Sequence, residues 1–144
     1  MLEISNLTTE KLDKKFFGKI AALVLKKEKK AGAISLVLVS SQKIKYLNKR
    51  WRKIDKATDV LSFCFEAEGD GLLGEIYLCP EFIRMDSRAN TETQNEDEAR
   101  KQKVEIARSF IHGMLHLLGY DHRNKKDLEK MINLENKYIK KLFN

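Results

Sequence analysis

Phe110-Ile-His-Gly-Met-Leu-His-Leu-Leu-Gly-Tyr-Asp-His122 holds all three histidines of the chain. His112 and His116 stand four residues apart. On a helix their imidazoles therefore leave the same face one turn apart, where one metal ion can take both. Gly119 follows, free to adopt the positive φ that ends a helix and turns the chain. His122 comes three residues after that bend, so the turn brings a third imidazole back over the face carrying the first two. Three nitrogen ligands with a position left open for water distinguish a catalytic zinc site from a closed structural one. Packing alone is a poor explanation for three histidines at this spacing with none elsewhere.

The helix bearing the first two histidines is predicted from near Asp97 to Leu118, with Val104, Ala107, Ile111, Leu115 and Leu118 facing the core. His112 and His116 lie beside that stripe, so a metal would sit where the helix leaves the core for a cleft. After the bend, Asn124 with Asp127 three residues on resembles a capping box for a last helix. Leu128, Met131, Ile132, Ile139 and Leu142 would pack that helix back onto the domain. Ahead of the central helix, Asn90 to Glu98 is polar and acidic without apolar periodicity, and reads as a mobile loop.

Further upstream, Leu2 and Ile4 alternate with polar neighbours as a short strand does. Thr8 is then the expected N-cap of a helix to about Lys30, buried through Leu12, Phe16, Ile20, Leu23 and Val24. Ala33 to Val39 is aliphatic on both faces, as in an interior strand covered by helices. Ser40 or Ser41 can cap a second helix through Ile44, Leu47 and Trp51. Its cations Lys43, Lys45, Lys49, Arg50, Arg52 and Lys53 leave two readings for Trp51, a core anchor or part of a groove for single-stranded nucleic acid. Strands Val60 to Phe65 and Leu72 to Cys79, joined through the turn at Gly69-Asp-Gly71, are expected to pair as an antiparallel hairpin. Pro80 and Glu81 open a further helix. These elements predict an α+β fold, a single domain over residues 1–144 with a small mixed sheet of about four strands, about five helices and the metal site on a central helix.

At 144 residues the chain is long enough for one core and short for two. No apolar run approaches the ~20 residues needed to cross a bilayer, and Met1-Leu-Glu-Ile-Ser does not resemble a signal peptide. A cytoplasmic address without a membrane partner is the expectation. Cys64 and Cys79, the only two cysteines, lack metal-knuckle spacing and read as small apolar strand residues. A net charge of +7 and a pI near 9.4 favour polyanionic partners, nucleic acid foremost.

The spacing His-x-x-x-His-x-x-Gly-x-x-His resembles the metzincin metalloproteases, but those place a Glu general base directly after the first histidine, where this chain has Gly113. His112-Gly-Met-Leu-His-Leu-Leu-Gly-Tyr-Asp-His122 resembles much more closely the signature of the YbeY family of bacterial endoribonucleases. Asn48, Arg52 and Thr58-Asp-Val-Leu-Ser-Phe63 also sit as in that family, with Ala57 in place of a frequent proline. Leu73-Gly-Glu-Ile76 stands where the family commonly has Leu-Gly-Asp-Ile. The resemblance implies a metal-dependent endoribonuclease specific for single strands, acting in small-subunit ribosomal RNA maturation and ribosome quality control. Its implied partners are single-stranded RNA and ribosomal RNA or ribosomal particles.

In the family the arginine matching Arg52 is implicated in activity, and a guanidinium fork is suited to holding a phosphate; an ion pair with Asp59 is the other reading. Asp121, beside a ligand, either orients an imidazole or the water, or is a simple turn residue. Glu105, two turns before His112, lies ~10 Å along the helix and is a poor candidate for a base. Zinc is the expected ion at His112, His116 and His122, although three imidazoles accept nickel, cobalt or copper too. Two rivals stand beside the nuclease: a metzincin-like peptidase lacking its Glu, and a non-catalytic ribosome-associated RNA-binding factor with a structural zinc.

Overall fold

Alternating burial along Ala33–Leu38 places Ile34, Leu36 and Leu38 in the main core and turns Val37 to the opposite side. This strand is β2 of a computed structural model that describes residues 2–65, 71–86 and 96–144. The elements run β1 (Leu2–Asn6), α1 (Lys14–Lys27), β2, α2 (Ser41–Arg52), β3 (Val60–Cys64), β4 (Leu72–Leu78), α3 (Pro80–Asp86), α4 (Glu96–Leu117) and α5 (Lys125–Phe143). The mixed four-stranded sheet has the order β1-β2-β4-β3. β2 lies parallel to both neighbours, and β3 runs antiparallel to β4 from Val60 opposite Leu78 to Cys64 opposite Gly74. The fold is α+β, with β2 interior and the β3–β4 hairpin paired as expected.

Helices cover both faces. Phe17, Ile20 and Val24 of α1, Phe110, Ile111, Met114 and Leu115 of α4, and Met131 and Tyr138 of α5 close the main core. Ile44 and Leu47 of α2 form a smaller cluster with Val39, Leu61 and Cys79. Full burial of each large aliphatic or aromatic side chain contributes about 1.5–3 kcal/mol, so α4, at the centre of the main core, is the most firmly fixed element available to carry a site.

Several expectations shift. Thr8 does not cap α1, whose N-cap is Asp13, accepting from the Phe16 amide. Thr8 is engaged in a local turn instead: Asn6 Oδ1 accepts from its amide and hydroxyl, and its Oγ1 accepts from the Glu10 amide. The buried stripe of α1 is accordingly centred on Phe17, Ile20, Ala21 and Val24, with Leu12, Phe16 and Leu23 only partly buried. Leu128 and Ile132, expected in the core, are exposed, because α5 turns Met131, Glu135 and Tyr138 inward. Strand β4 ends at Leu78, leaving Cys79 buried in the connection to α3, while Cys64 is exposed at the end of β3. α4 begins at Glu96, one residue from the expected start near Asp97, so the end of the acidic stretch forms its first turn; residues 90–95, like Gly69-Asp70, lie outside the described residues. Ser40 and Asn124 cap α2 and α5 as their sequence positions suggest.

Candidate metal centre

α4 presents one polar stripe, Glu105, Arg108, Ser109, His112 and His116, whose three- and four-residue spacings put all five on one helix face. All five line a cleft of about 630 Å³, together with Asp121 and His122 from the bend, Glu135 of α5, and Arg52, Thr58, Asp59 and Ser62 from the opposite side. The bend forms as anticipated. Gly119 adopts φ +99°, and its amide and that of Tyr120 donate to the carbonyls of His116 and Leu115, an ending that a residue with a side chain adopts only under strain.

The chain thereby returns on itself and brings His122 beside the first pair. Ring centroids are 4.7 Å apart for His112 and His116, 5.1 Å for His116 and His122, and 5.8 Å for His112 and His122. The Nε2 atoms of His112 and His116 lie 3.1 Å apart, and one ring nitrogen from each histidine falls within a 4.8 Å cluster. Two nitrogens each about 2.1 Å from one zinc ion can be no more than about 4.2 Å apart, so small ring rotations suffice for a common ion. Burial first, then His112 and His122, lowers the pKa of His116, which favours the neutral imidazole that a metal requires.

Glu135 is the residue that sequence reasoning missed. It is buried, and its Oε1 lies 2.5 Å from His112 Nδ1. A carboxylate there holds a proton on Nδ1 and leaves the Nε2 lone pair for an ion, the carboxylate–imidazole pairing common behind zinc. The available signal was its place between Met131 and Tyr138, an acid on the inward stripe of α5. Ser109 was missed too; its hydroxyl donates to Asp59 Oδ2 at 2.8 Å. Asp59 therefore faces α4, where an ion pair with Arg52 was the other expectation, and Arg52 is left exposed on the cleft wall. Buried Asn48 donates to the Lys56 carbonyl at 2.9 Å and so fixes the connection that carries Thr58 and Asp59.

Asp121 is exposed and engaged locally. Its Oδ1 accepts from the His122 amide at 2.8 Å and its Oδ2 from Arg123 Nε at 2.7 Å, and these two contacts lower its pKa, Arg123 contributing first. It orders the backbone of His122, with no hydrogen bond to an imidazole. Cys64 reaches the cleft, but its thiol faces the Leu117 carbonyl at 3.8 Å. Gly113 explains the missing peptidase base. It is buried, and a Cβ there would lie 2.9 Å from Ser62 Oγ, 3.1 Å from Ile76 Cγ2 and 3.2 Å from Val60 Cγ2. The direction in which metzincins carry their Glu is here packed against the sheet.

Known proteins resemble this chain in sequence and in fold. The solved structure of the Thermotoga maritima protein TM1509, determined in solution, superposes with a TM-score of 0.66 at 30% identity, covering 99% of this chain and 89% of that one. A Phytoplasma australiense protein named Endoribonuclease YbeY is 34% identical across 98% of this chain and 94% of its own length. A protein of the same name from Acholeplasma laidlawii is 32% identical across 97% and 96%. The family model described as Endoribonuclease YbeY matches residues 3–143, and with agreement over nearly its whole length the chain belongs to the YbeY family.

Proposed function

We propose that this protein is a zinc-dependent endoribonuclease that hydrolyses phosphodiester bonds of single-stranded RNA. The observation that carries the reading is the convergence of His112, His116 and His122, backed by Glu135, on the same cleft as Arg52, in a member of a family named for endoribonuclease activity. His112, His116 and His122 would hold the ion, with nickel, cobalt or copper as chemically acceptable substitutes. A divalent ion on neutral imidazoles supplies a Lewis acid and a source of hydroxide near pH 7, the two things phosphodiester hydrolysis needs.

The chain's own groups do the rest. Arg52, exposed on the opposite wall, offers a fork of donors to a phosphate and stabilises charge growing on it. Glu135 keeps His112 in one orientation, and Asp121 holds the His122 backbone in the bend. The Asp59–Ser109 pair ties the connection before β3 to α4 and fixes the width of the cleft. A peptidase of metzincin type has no place for its base at Gly113, and an exposed Arg52 lining the same cleft as the imidazoles suits a phosphodiester better than a peptide. The physiological substrate we propose is small-subunit ribosomal RNA, encountered on ribosomal particles in the cytoplasm.

Elemental analysis and a cleavage assay test this together. Purified protein should carry about one equivalent of divalent ion, cleave single-stranded RNA in preference to duplex, lose activity to a chelator and regain it with zinc. His116→Ala should reduce cleavage to the uncatalysed background while folding normally. Full activity in metal-stripped protein would overturn the reading.

A further inference from the structure

Trp51, the only tryptophan, is one of two aromatics displayed on α2. It was placed by sequence either in the core or in a groove; the residue is 61% exposed. Exposing so large an apolar surface forgoes burial energy that a core position would have gained. The ring is nonetheless held in place. Arg50 lies over it at 5.4 Å from the ring centroid, and Phe63 of β3 meets it edge to face at 6.3 Å. Phe63 is itself braced by Tyr77 at 5.7 Å. Tyr46, 53% exposed one turn and a little earlier on α2, repeats the pattern beneath Lys43 at 5.3 Å.

Position links this ring to the cleft. Trp51 and Arg52 are consecutive on a helix, so their side chains leave about 100° apart; Arg52 lines the cleft, and Trp51 meets the outer edge of the sheet through Phe63. β3 is an edge strand; Val60, Leu61, Ser62 and Cys64 line the histidine cleft, while Phe63 turns to Trp51. Helix α2 contains Lys43, Lys45, Lys49, Arg50 and Arg52 and no acidic residue. Asp55, just beyond the helix, lies 4.0 Å from Lys45 and 3.9 Å from Lys49, so the surface keeps an excess of positive charge beside a braced, exposed ring, complementary to phosphates and bases together.

We propose that Trp51 is a base-stacking platform that fixes the path of single-stranded RNA across the β3 edge, delivering the neighbouring phosphate to Arg52. The proposal rests on the endoribonuclease reading and deepens it by naming what positions the strand. Stacking accepts any base, so the platform selects for single strands, whose bases are free, and against duplex, whose bases are already stacked. Selection at Trp51 therefore operates on strandedness and leaves sequence open.

Because the chain has one tryptophan, its emission reports on this ring alone. His116→Ala protein, expected to bind RNA without cleaving it, is titrated with a single-stranded oligoribonucleotide and with an abasic oligonucleotide of the same length. Quenching by the first and little by the second is expected. In the otherwise native protein, Trp51→Ala should raise KM for single-stranded RNA roughly 5- to 140-fold, the range of base–aromatic stacking, with kcat nearly unchanged. Trp51→Phe should recover most of the loss. Unchanged KM in Trp51→Ala, or binding without any change in emission, would overturn the platform and leave the nuclease standing. A wild-type protein that neither binds nor cuts RNA would remove both. Emission that answers an acidic peptide and ignores RNA would make this a protein-docking face and would equally overturn the proposal.

Discussion

Along α4, Ala107, Phe110, Ile111, Met114 and Leu115 have no exposed surface, whereas on α2 Arg52 across the cleft and Trp51 next to it are exposed. The α4 wall is also anchored from behind. Glu135 fixes His112, and beyond the bend Glu28 accepts the hydroxyls of both Tyr120 and Tyr138. Helix α2 is seated through Ile44, Leu47 and Asn48, but its outward Trp51 ring is held by the Phe63–Tyr77 brace and the lateral grip of Arg50. The contrast matches two recognition tasks. An ion needs its ligands within tenths of an ångström before it arrives, and buried supports supply that. A flexible polyanion is better met by long cations that adjust to each phosphate, which requires exposure.

The strongest way to break this comparison is to disturb the packing behind the histidines. Gly113→Ala forces a Cβ against Ser62, Ile76 and Val60, an overpacking expected to cost about 1–3 kcal/mol. Gly113→Glu forces a longer, charged side chain into the same packed space between Ser62, Ile76 and Val60 and should exceed about 4 kcal/mol, enough to unfold most of the population. Urea denaturation monitored by circular dichroism measures both. A folded Gly113→Glu protein that cleaved casein would show that the α4 wall is not rigid and would reinstate the peptidase.

A gentler test removes one support and keeps the packing. Glu135→Gln retains shape and loses the charge facing His112 Nδ1. Affinity for zinc, read by competition with a chromogenic chelator, should fall about 10- to 100-fold, with cleavage falling alongside when metal is limiting. Equal affinity in the two proteins would mean that the imidazoles are held by the helix and bend alone.

The same contrast explains what could be read in the chain. The histidine cluster was legible because its logic is local: helix spacing, a glycine at positive φ and a short return fix three imidazoles within eleven residues. The caps at Ser40 and Asn124 were legible for the same reason. Thr8 misled because Asn6 competes for it, drawing its amide and hydroxyl into a turn and leaving the capping to Asp13. Glu135 was hidden because on an amphipathic helix an acid on the inward stripe looks like an error in phase until α4 is docked against it. Docking also decided Leu128 and Ile132: bringing Glu135 and Tyr138 inward rotates those two out. Trp51 could not be placed without knowing that β3, and not an interior strand, lies beside it.

The smallest expected effect distinguishes the braces of the two walls by their protons. Tyr120 and Tyr138 donate to Glu28 behind the bend, and Tyr77 donates to Glu75 Oε2 at 2.7 Å beneath Phe63. All three pKa values are raised: Tyr77 to about 12, by burial and then Glu75; Tyr138 by burial and then Glu28; Tyr120 by the Glu28 hydrogen bond first. Raised values mean that the folded chain keeps protons that the unfolded chain releases near pH 10. The stabilisation is complete below that pH and declines as pH rises from there through the folded values, since the unfolded state then binds fewer protons. Titrating tyrosinate absorbance alongside circular dichroism should show these rings ionising late and the fold weakening above about pH 10. Glu28→Gln should bring Tyr120 and Tyr138 down and leave Tyr77 high, because only the α4 wall loses its carboxylate. If all three fell together, the two walls would be coupled through the sheet, and the distinction between a fixed wall and an adaptable one would not hold.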